Sequence, residues 1–286
     1  MYKRKKLYFC STTIFIFNIF IRMKNRYITF VSLAALFACL PLMQADAQEQ
    51  YPQQEPMKPE MSEYWIPQPR VVTPGNTTSN AFMSAPSDAI VLFDGKDLSQ
   101  WKSANDNGDA KWKVHDGIVT VDKKAGDILT KQAFEDFQLH VEWRVPENIT
   151  GESQARGNSG IFLQDKYEIQ VLDNYNNATY VNGFVGSIYK QSPPLVNAVR
   201  KPGEWNVYDI IYTAPTFTKD GKYRTYPTVT VLLNGVVVQN NTTIVGTTEY
   251  IGFPKVAPHG KGPIRLQAHG DPSAPISFRN IWIREL

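Results

Sequence analysis

From Asp88 onward, hydrophobic and polar residues alternate with a period of two in a series of short runs: AIVLFDG, GIVTV, FQLHVEW, GIFL, YEIQVL, VYDIIYT, TVTVLLNGVVVQ, IRLQAH and ISFRNIWIREL. Each run is rich in β-branched and aromatic residues. Gly, Pro, Asn or Asp separates it from the next, as expected of strands between turns. Over 137–145, Phe137, Leu139, Val141, Trp143 and Val145 face one way, and Gln138, His140, Glu142 and Arg144 the other. Leu233-Asn234-Gly235-Val236 predicts a hairpin, because Asn-Gly readily takes the left-handed backbone of a two-residue turn. Asp94-Gly95 and Asp116-Gly117 predict further turns. No long amphipathic helix and no convincing repeat appears. Many short strands without helices predict an all-β fold, a sandwich or jelly roll of antiparallel sheets.

The first 87 residues read differently. Two apolar runs, Leu7–Ile21 and Tyr27–Met43, each follow basic residues. Both are shorter than the roughly 20 residues of a bilayer-spanning helix. The second ends in Ala45-Asp46-Ala47, the small-x-small pattern of a signal-peptidase site. We therefore expect 1–47 to be an export signal, with Met23 as the true start. Leu36-Phe37-Ala38-Cys39 loosely fits a lipoprotein signal, so anchoring at Cys39 is the rival reading. Residues 48–87 are rich in Pro, Gln, Ser, Thr and Asn and predict a linker or docking arm. Tyr64, Trp65 and Ile66 interrupt it and are expected to dock on the domain surface.

Removing the signal changes the charge. The chain has 30 Lys and Arg against 27 Asp and Glu, and residues 1–47 hold seven of the former and one of the latter. The remainder carries a formal charge of −3. The basic balance belongs to the signal and gives no reason to expect nucleic acid. Cys10 and Cys39 also fall in the signal, so the mature chain is expected to rely on core burial rather than disulfides. It is expected to have no membrane span and to act in the periplasm or outside the cell. About 200 residues suffice for one large β domain.

The polar strand faces carry the candidate chemistry. In Tyr167–Leu172, Ile169 and Val171 would point to the core and Glu168 and Gln170 outward. Asp173 would follow them only if a bulge added one residue. Arg265, Gln267 and His269 alternate against Ile264, Leu266 and Ala268. Together with Glu142 and Arg144 they describe a groove of carboxylates, amides, Arg and His suited to a sugar's hydroxyls. A polar strand face is most often simply solvated. These faces, however, use Gln, Asn, His, Arg and acids more than Lys and Thr, and Tyr167, Tyr175, Tyr189 and Trp205 stand nearby. No zinc spacing links His115, His140, His259 and His269. There is no Gly-x-Ser-x-Gly elbow and no EF-hand pattern. No cofactor is expected, although a divalent-metal site built from loop carbonyls stays open. The oligomeric state is not legible.

Eight blocks, in order, carry a family resemblance: LFDGKDLSQW, FEDFQLHVEWR, GNSGIFL, YEIQVLDN, PGEWNVYDI, LNGVVVQN, GPIRLQAHG and FRNIWIREL. Over 88–286 the chain resembles the 3-keto-disaccharide hydrolase domain family. The resemblance implies a concanavalin A-like jelly roll, export, and cleavage of glycosides oxidised at carbon 3, with a small carbohydrate as the partner. The ketone acidifies the hydrogen on carbon 2, so such chemistry needs a base, an electrophile for the enolate and an acid for the leaving oxygen. Glu168 is the first choice of base and Glu142 the second. Arg144, Lys190 or His269 would stabilise the enolate, and His269 would alternatively protonate the leaving group. Asn158, Gln170, Tyr189, Trp205, Asn206 and Gln267 would hold hydroxyls and ring, with Asp173 at the groove's edge. Two alternatives stand beside this reading. One is a carbohydrate-binding module without catalysis. The other is a retaining glycosidase using Glu168 and Asp173, since EIQVLD resembles the acidic bulged strand of laminarinase-type enzymes.

Overall fold

The structure is a computed structural model and describes residues 55–75 and 83–286. The expected export signal at 1–47, with Met23 and Cys39, lies outside the described residues, as do 48–54 and 76–82 of the expected linker. Fifteen strands follow in chain order: β1 Ile90–Phe93, β2 Trp101–Ser103, β3 Lys113–His115, β4 Ile118–Thr120, β5 Ile128–Thr130, β6 Phe137–Arg144, β7 Ser159–Leu163, β8 Tyr167–Val171, β9 Asn206–Thr213, β10 Thr216–Phe217, β11 Tyr223–Thr225, β12 Thr228–Leu233, β13 Val236–Thr243, β14 Arg265–Leu266 and β15 Ser277–Glu285. Helical structure among the described residues is confined to three short 3-10 turns. No helix there is long and apolar enough to cross a membrane.

The strands form the expected all-β sandwich. The larger sheet has eight strands in the order β13-β12-β9-β6-β15-β4-β3, with β1 added on β15. The smaller has five, in the order β2-β5-β14-β7-β8. All these pairings are antiparallel. The period-two pattern decides what lies between the sheets. Leu139, Val141 and Trp143 of β6 and Tyr208, Ile210 and Tyr212 of β9 meet Ile161 and Leu163 of β7 and Tyr167, Ile169 and Val171 of β8 in one core. Removing this apolar area from water is the main force closing the sandwich. Two tyrosine hydroxyls cross the interior: Tyr208 donates to the Gln170 carbonyl at 2.7 Å and Tyr212 to Gln164 Oε1 at 2.8 Å. The predicted Asn-Gly hairpin joins β12 and β13, with Asn234 at φ 55° and Gly235 at φ 79°. Asp116-Gly117, at φ 51° and 76°, turns β3 into β4 in the same way.

Residues 59–75 pack against this domain through hydrogen bonds more than through their apolar side chains. Asn197 receives Val72 N–H on its carbonyl at 2.9 Å and gives its own N–H to the Arg70 carbonyl at 2.9 Å. Gln68 reaches the Thr179 carbonyl at 3.1 Å. Trp65 meets Tyr180 edge-on at 6.1 Å but stays half-exposed, and Ile66 is fully in solvent.

The Tyr208 hydroxyl is buried and bonded across the sheets, so its loss leaves a dry carbonyl with one donor fewer. Tyr208→Phe is expected to lower unfolding stability by about 1 kcal/mol, measured by urea titration. Unchanged stability would show that the bond contributes nothing.

Candidate active site

A cavity of about 760 Å³ lies over the outer face of the five-stranded sheet. Strand alternation builds its floor. Glu168 and Gln170 of β8 and Phe162 of β7 point away from the core into it, beside Arg265 of β14 and Gln267. Loops raise the walls, with Gln154 and Asn158 before β7, Tyr180 and Tyr189 after β8, Thr248 and Tyr250 after β13, and His269 and Asp271 after β14. Glu63 enters from the arm.

Glu168 is the unusual group. It is 5% exposed, and its carboxylate has no hydrogen-bond partner among the described residues. Burial pushes its pKa from 4.5 to about 8, with Arg265 opposing and Asp127 adding to the rise. Arg265 makes no hydrogen bond to it among the described residues; its guanidinium is paired with Asp127 at 2.9 Å and Asp165 at 2.6 Å. The same guanidinium lies over the Phe162 ring, 3.5 Å from its centroid. Gly160, opposite Gln170 on β7, leaves the space Glu168 occupies, since a Cβ there would collide with Glu168 Oε1.

The other polar groups are placed for exchange with a ligand. His269 is about one-third exposed, and its Nδ1 lies 3.1 Å from the Asp271 carboxylate. Burial pushes Asp271 up, but hydrogen bonds from His269, Ser273 and Lys123 overcome it and hold the carboxyl at about 2. Asp271 therefore stays ionised, and it also orients the imidazole through its backbone N–H, which donates to His269 Nδ1 at 3.2 Å. The Tyr180 and Tyr189 hydroxyls are bonded at 2.7 Å. Burial pushes Tyr189 far above its ordinary value, and the charges of Glu168 and Glu63 add to the rise. Gln170 Oε1 and Gln267 Oε1 are buried without a partner among the described residues, which is uncommon for an amide oxygen. No group of three or more His, Cys, Asp or Glu converges as a metal site among the described residues.

Residues 88–284 match the family described as the 3-keto-alpha-glucoside-1,2-lyase-like domain. The chain belongs to this family. A curated relative from Bacteroides thetaiotaomicron, named 3-keto-disaccharide hydrolase, is 28% identical over 162 residues, 43% of this chain and 53% of its own length. The chain thus spans about half of that relative. A crystal structure from Parabacteroides distasonis, provisionally assigned as a glycosyl hydrolase, is 73% identical and superposes with a TM-score of 0.72, covering 79% of this chain and 96% of its own. A second structure from the same organism, with the same provisional assignment, is 24% identical with a TM-score of 0.51, over 70% of this chain and 94% of its own; it shares the fold.

Within this 3-keto-glucoside lyase-like domain, the candidate residues divide. Glu168, Gln170, Asn158, Tyr189, Gln267 and His269 come together around one cavity. Glu142, Arg144, Trp205 and Asn206 do not. Glu142 and Arg144 lie on the outer face of the larger sheet, on the opposite side of the sandwich; Trp205 precedes β9, and Asn206 opens it on the inward side. Glu142 is bonded to Arg279 at 2.6 Å and Asn280 at 2.8 Å, and His140 to Asp209 at 2.7 Å. Burial pushes Glu142 up, yet His140, Asn280 and Arg279 hold it below its ordinary value. Trp205 lies against two guanidinium groups, Arg144 at 4.6 Å and Arg279 at 4.1 Å. Asn206 accepts the Arg200 N–H and the Asn234 amide, bracing a turn. Lys190 sits beside the cavity, but its ammonium binds the carbonyls of Pro59 at 2.8 Å and Tyr250 at 3.0 Å. Asp173 does not bulge back beside Glu168. β8 ends at Val171, and the fully buried Asp173 carboxylate is bonded to Arg156 at 2.7 Å and the Tyr175 N–H at 3.0 Å. Glu63, Gln154, Phe162, Tyr180, Thr248, Tyr250 and Asp271 were not foreseen. All but Phe162 lie on loops or the arm, where periodicity gives no signal.

The folded chain holds a proton on Glu168 that the unfolded chain releases near pH 4.5. Stability is therefore expected to fall as pH rises from 4.5 to about 8, and Glu168→Gln to remove that part of the fall. Urea titrations of both proteins across the window measure it. Parallel pH dependences would contradict the burial argument.

Proposed function

We propose that the cavity binds a glycoside oxidised at carbon 3 and that Glu168 begins its cleavage as general base. The observation that carries this reading is the buried Glu168 carboxyl, raised to about 8 and lacking a hydrogen-bond partner among the described residues, facing a cavity lined with amides, hydroxyls and an imidazole. A base poised near the working pH combines adequate ionisation with a strong pull on the proton.

The ketone makes the carbon 2 hydrogen acidic. Glu168 takes that proton, and the C–H electrons move into the carbonyl, leaving an enolate at carbon 3. Tyr189 and Gln267 supply hydrogen-bond donors, and Arg265 supplies positive charge, for this oxygen. The enolate then collapses, a double bond forms between carbons 1 and 2, and the aglycone leaves carbon 1 with its bonding electrons. His269 is the proton donor to that leaving oxygen: the Asp271 N–H donates to Nδ1 at 3.2 Å, which leaves the ring proton on Nε2 to be given up. Water adding across the double bond gives hydroxyl at carbon 1 and hydrogen at carbon 2, so the net change is hydrolysis. The names of the family and of the Bacteroides relative support this substrate class. The layout of residues 1–47 supports export, with action in the periplasm or outside the cell.

The test is incubation with a 3-keto-glucoside and with its unoxidised parent. Turnover of the keto sugar alone is expected, with kcat/KM rising with pH through about 8 as Glu168 ionises. Glu168→Gln is expected to lower turnover by roughly 10²–10⁴-fold and to abolish that rise. Binding without turnover would make the protein a carbohydrate-binding module, and equal turnover of the parent would make it an ordinary glycosidase.

A further inference from the structure

The family match begins at residue 88, yet a carboxylate from residue 63 lines the cavity. The chain grips this residue from both sides. Asn182 is fully buried; its Oδ1 accepts the Tyr64 N–H at 3.1 Å and its Nδ2 donates to the Ser62 carbonyl at 2.9 Å. The Val181 N–H adds a bond to the Tyr64 carbonyl. One side chain thus fixes the backbone immediately before and after Glu63. Lys190 lies 3.6 Å from the Glu63 carboxylate and binds the Pro59 carbonyl, so it ties down the arm and balances the charge that Glu63 brings toward Glu168.

The placement is specific to the site. The Tyr180–Tyr189 hydroxyl pair feels the charges of both Glu63 and Glu168. Two carboxylates therefore flank one pair of phenols at the cavity wall. A carboxylate only accepts hydrogen bonds when ionised, and its two oxygens suit adjacent hydroxyls. Among the described residues the Glu63 carboxylate is paired with the Lys190 ammonium at 3.6 Å.

We propose that Glu63 is a substrate-binding residue, an arm-borne carboxylate that accepts hydrogen bonds from vicinal hydroxyls of the sugar, and that Asn182 is its positioning residue. This rests on the reading that the cavity holds the keto sugar. Residues 55–75 are then part of the enzyme's binding site and not a passive linker.

The test uses the full chain and a 3-keto-glucoside. Glu63→Ala is expected to raise KM about tenfold or more, with kcat within about threefold, the signature of lost ground-state binding. Glu63→Asp is expected to recover part of the loss. Asn182→Ala is expected to raise KM similarly in the wild-type background and to add little to Glu63→Ala, because it acts through Glu63. If Glu63→Ala loses its melting transition, Glu63→Gln takes its place with the same readings. A wild-type KM in a folded Glu63 variant, or a fall confined to kcat, overturns the assignment while leaving the base in place. Wild-type turnover by Glu168→Gln would instead remove the cavity reading itself.

Discussion

A buried carboxyl group without a hydrogen-bond partner is unfavourable, and Glu168, on the floor of the cavity, is in that condition among the described residues. Burial of a charge is ordinarily relieved by pairing or by neutralisation. The nearby Arg265 guanidinium is instead paired with Asp127 and Asp165 and lies over Phe162. Neutralisation is what remains, and it sets the pKa near 8. Gly160 makes the room, and the loops after β8 and β13 supply the cover. Such a group is a poor contributor to stability and a good proton acceptor.

The opposite face of the sandwich shows the other solution to the same problem. Glu142 is as buried as Glu168, but Arg279, Asn280 and His140 surround it, and its carboxyl is held below its ordinary range. His140 stacks flat on Trp282 at 4.9 Å and is bonded to Asp209. With its acceptors occupied, that network braces the larger sheet. Two outward-facing glutamates thus differ in chemistry because, among the described residues, one is hydrogen-bonded and the other is not.

This contrast explains what the sequence could disclose. Period-two alternation set the inward and outward sides of β6 and β8 correctly, and Asn234-Gly235 marked its hairpin. The same alternation cannot say which sheet a strand joins. Glu142 and Glu168 therefore looked alike until β6 paired with β15 and β9, and β8 with β7. Asp173 looked like a groove residue because a bulge was needed to rescue the pattern, whereas Arg156 holds it inside the turn. The walls were the least legible part. Glu63 lies more than 100 residues before Glu168 in the chain. Asn182, Val181 and Lys190 bind the backbone around it and hold it at the cavity, a long-range contact that leaves no local periodicity.

The account stands on proton removal from carbon 2 by a carboxylate in this cavity. Turnover of a 3-keto-glucoside carrying deuterium at carbon 2 tests it directly. Slower turnover than with the protio sugar, and loss of the deuterium to solvent in the product, is the predicted result. Equal rates with deuterium retained at carbon 2 would contradict it.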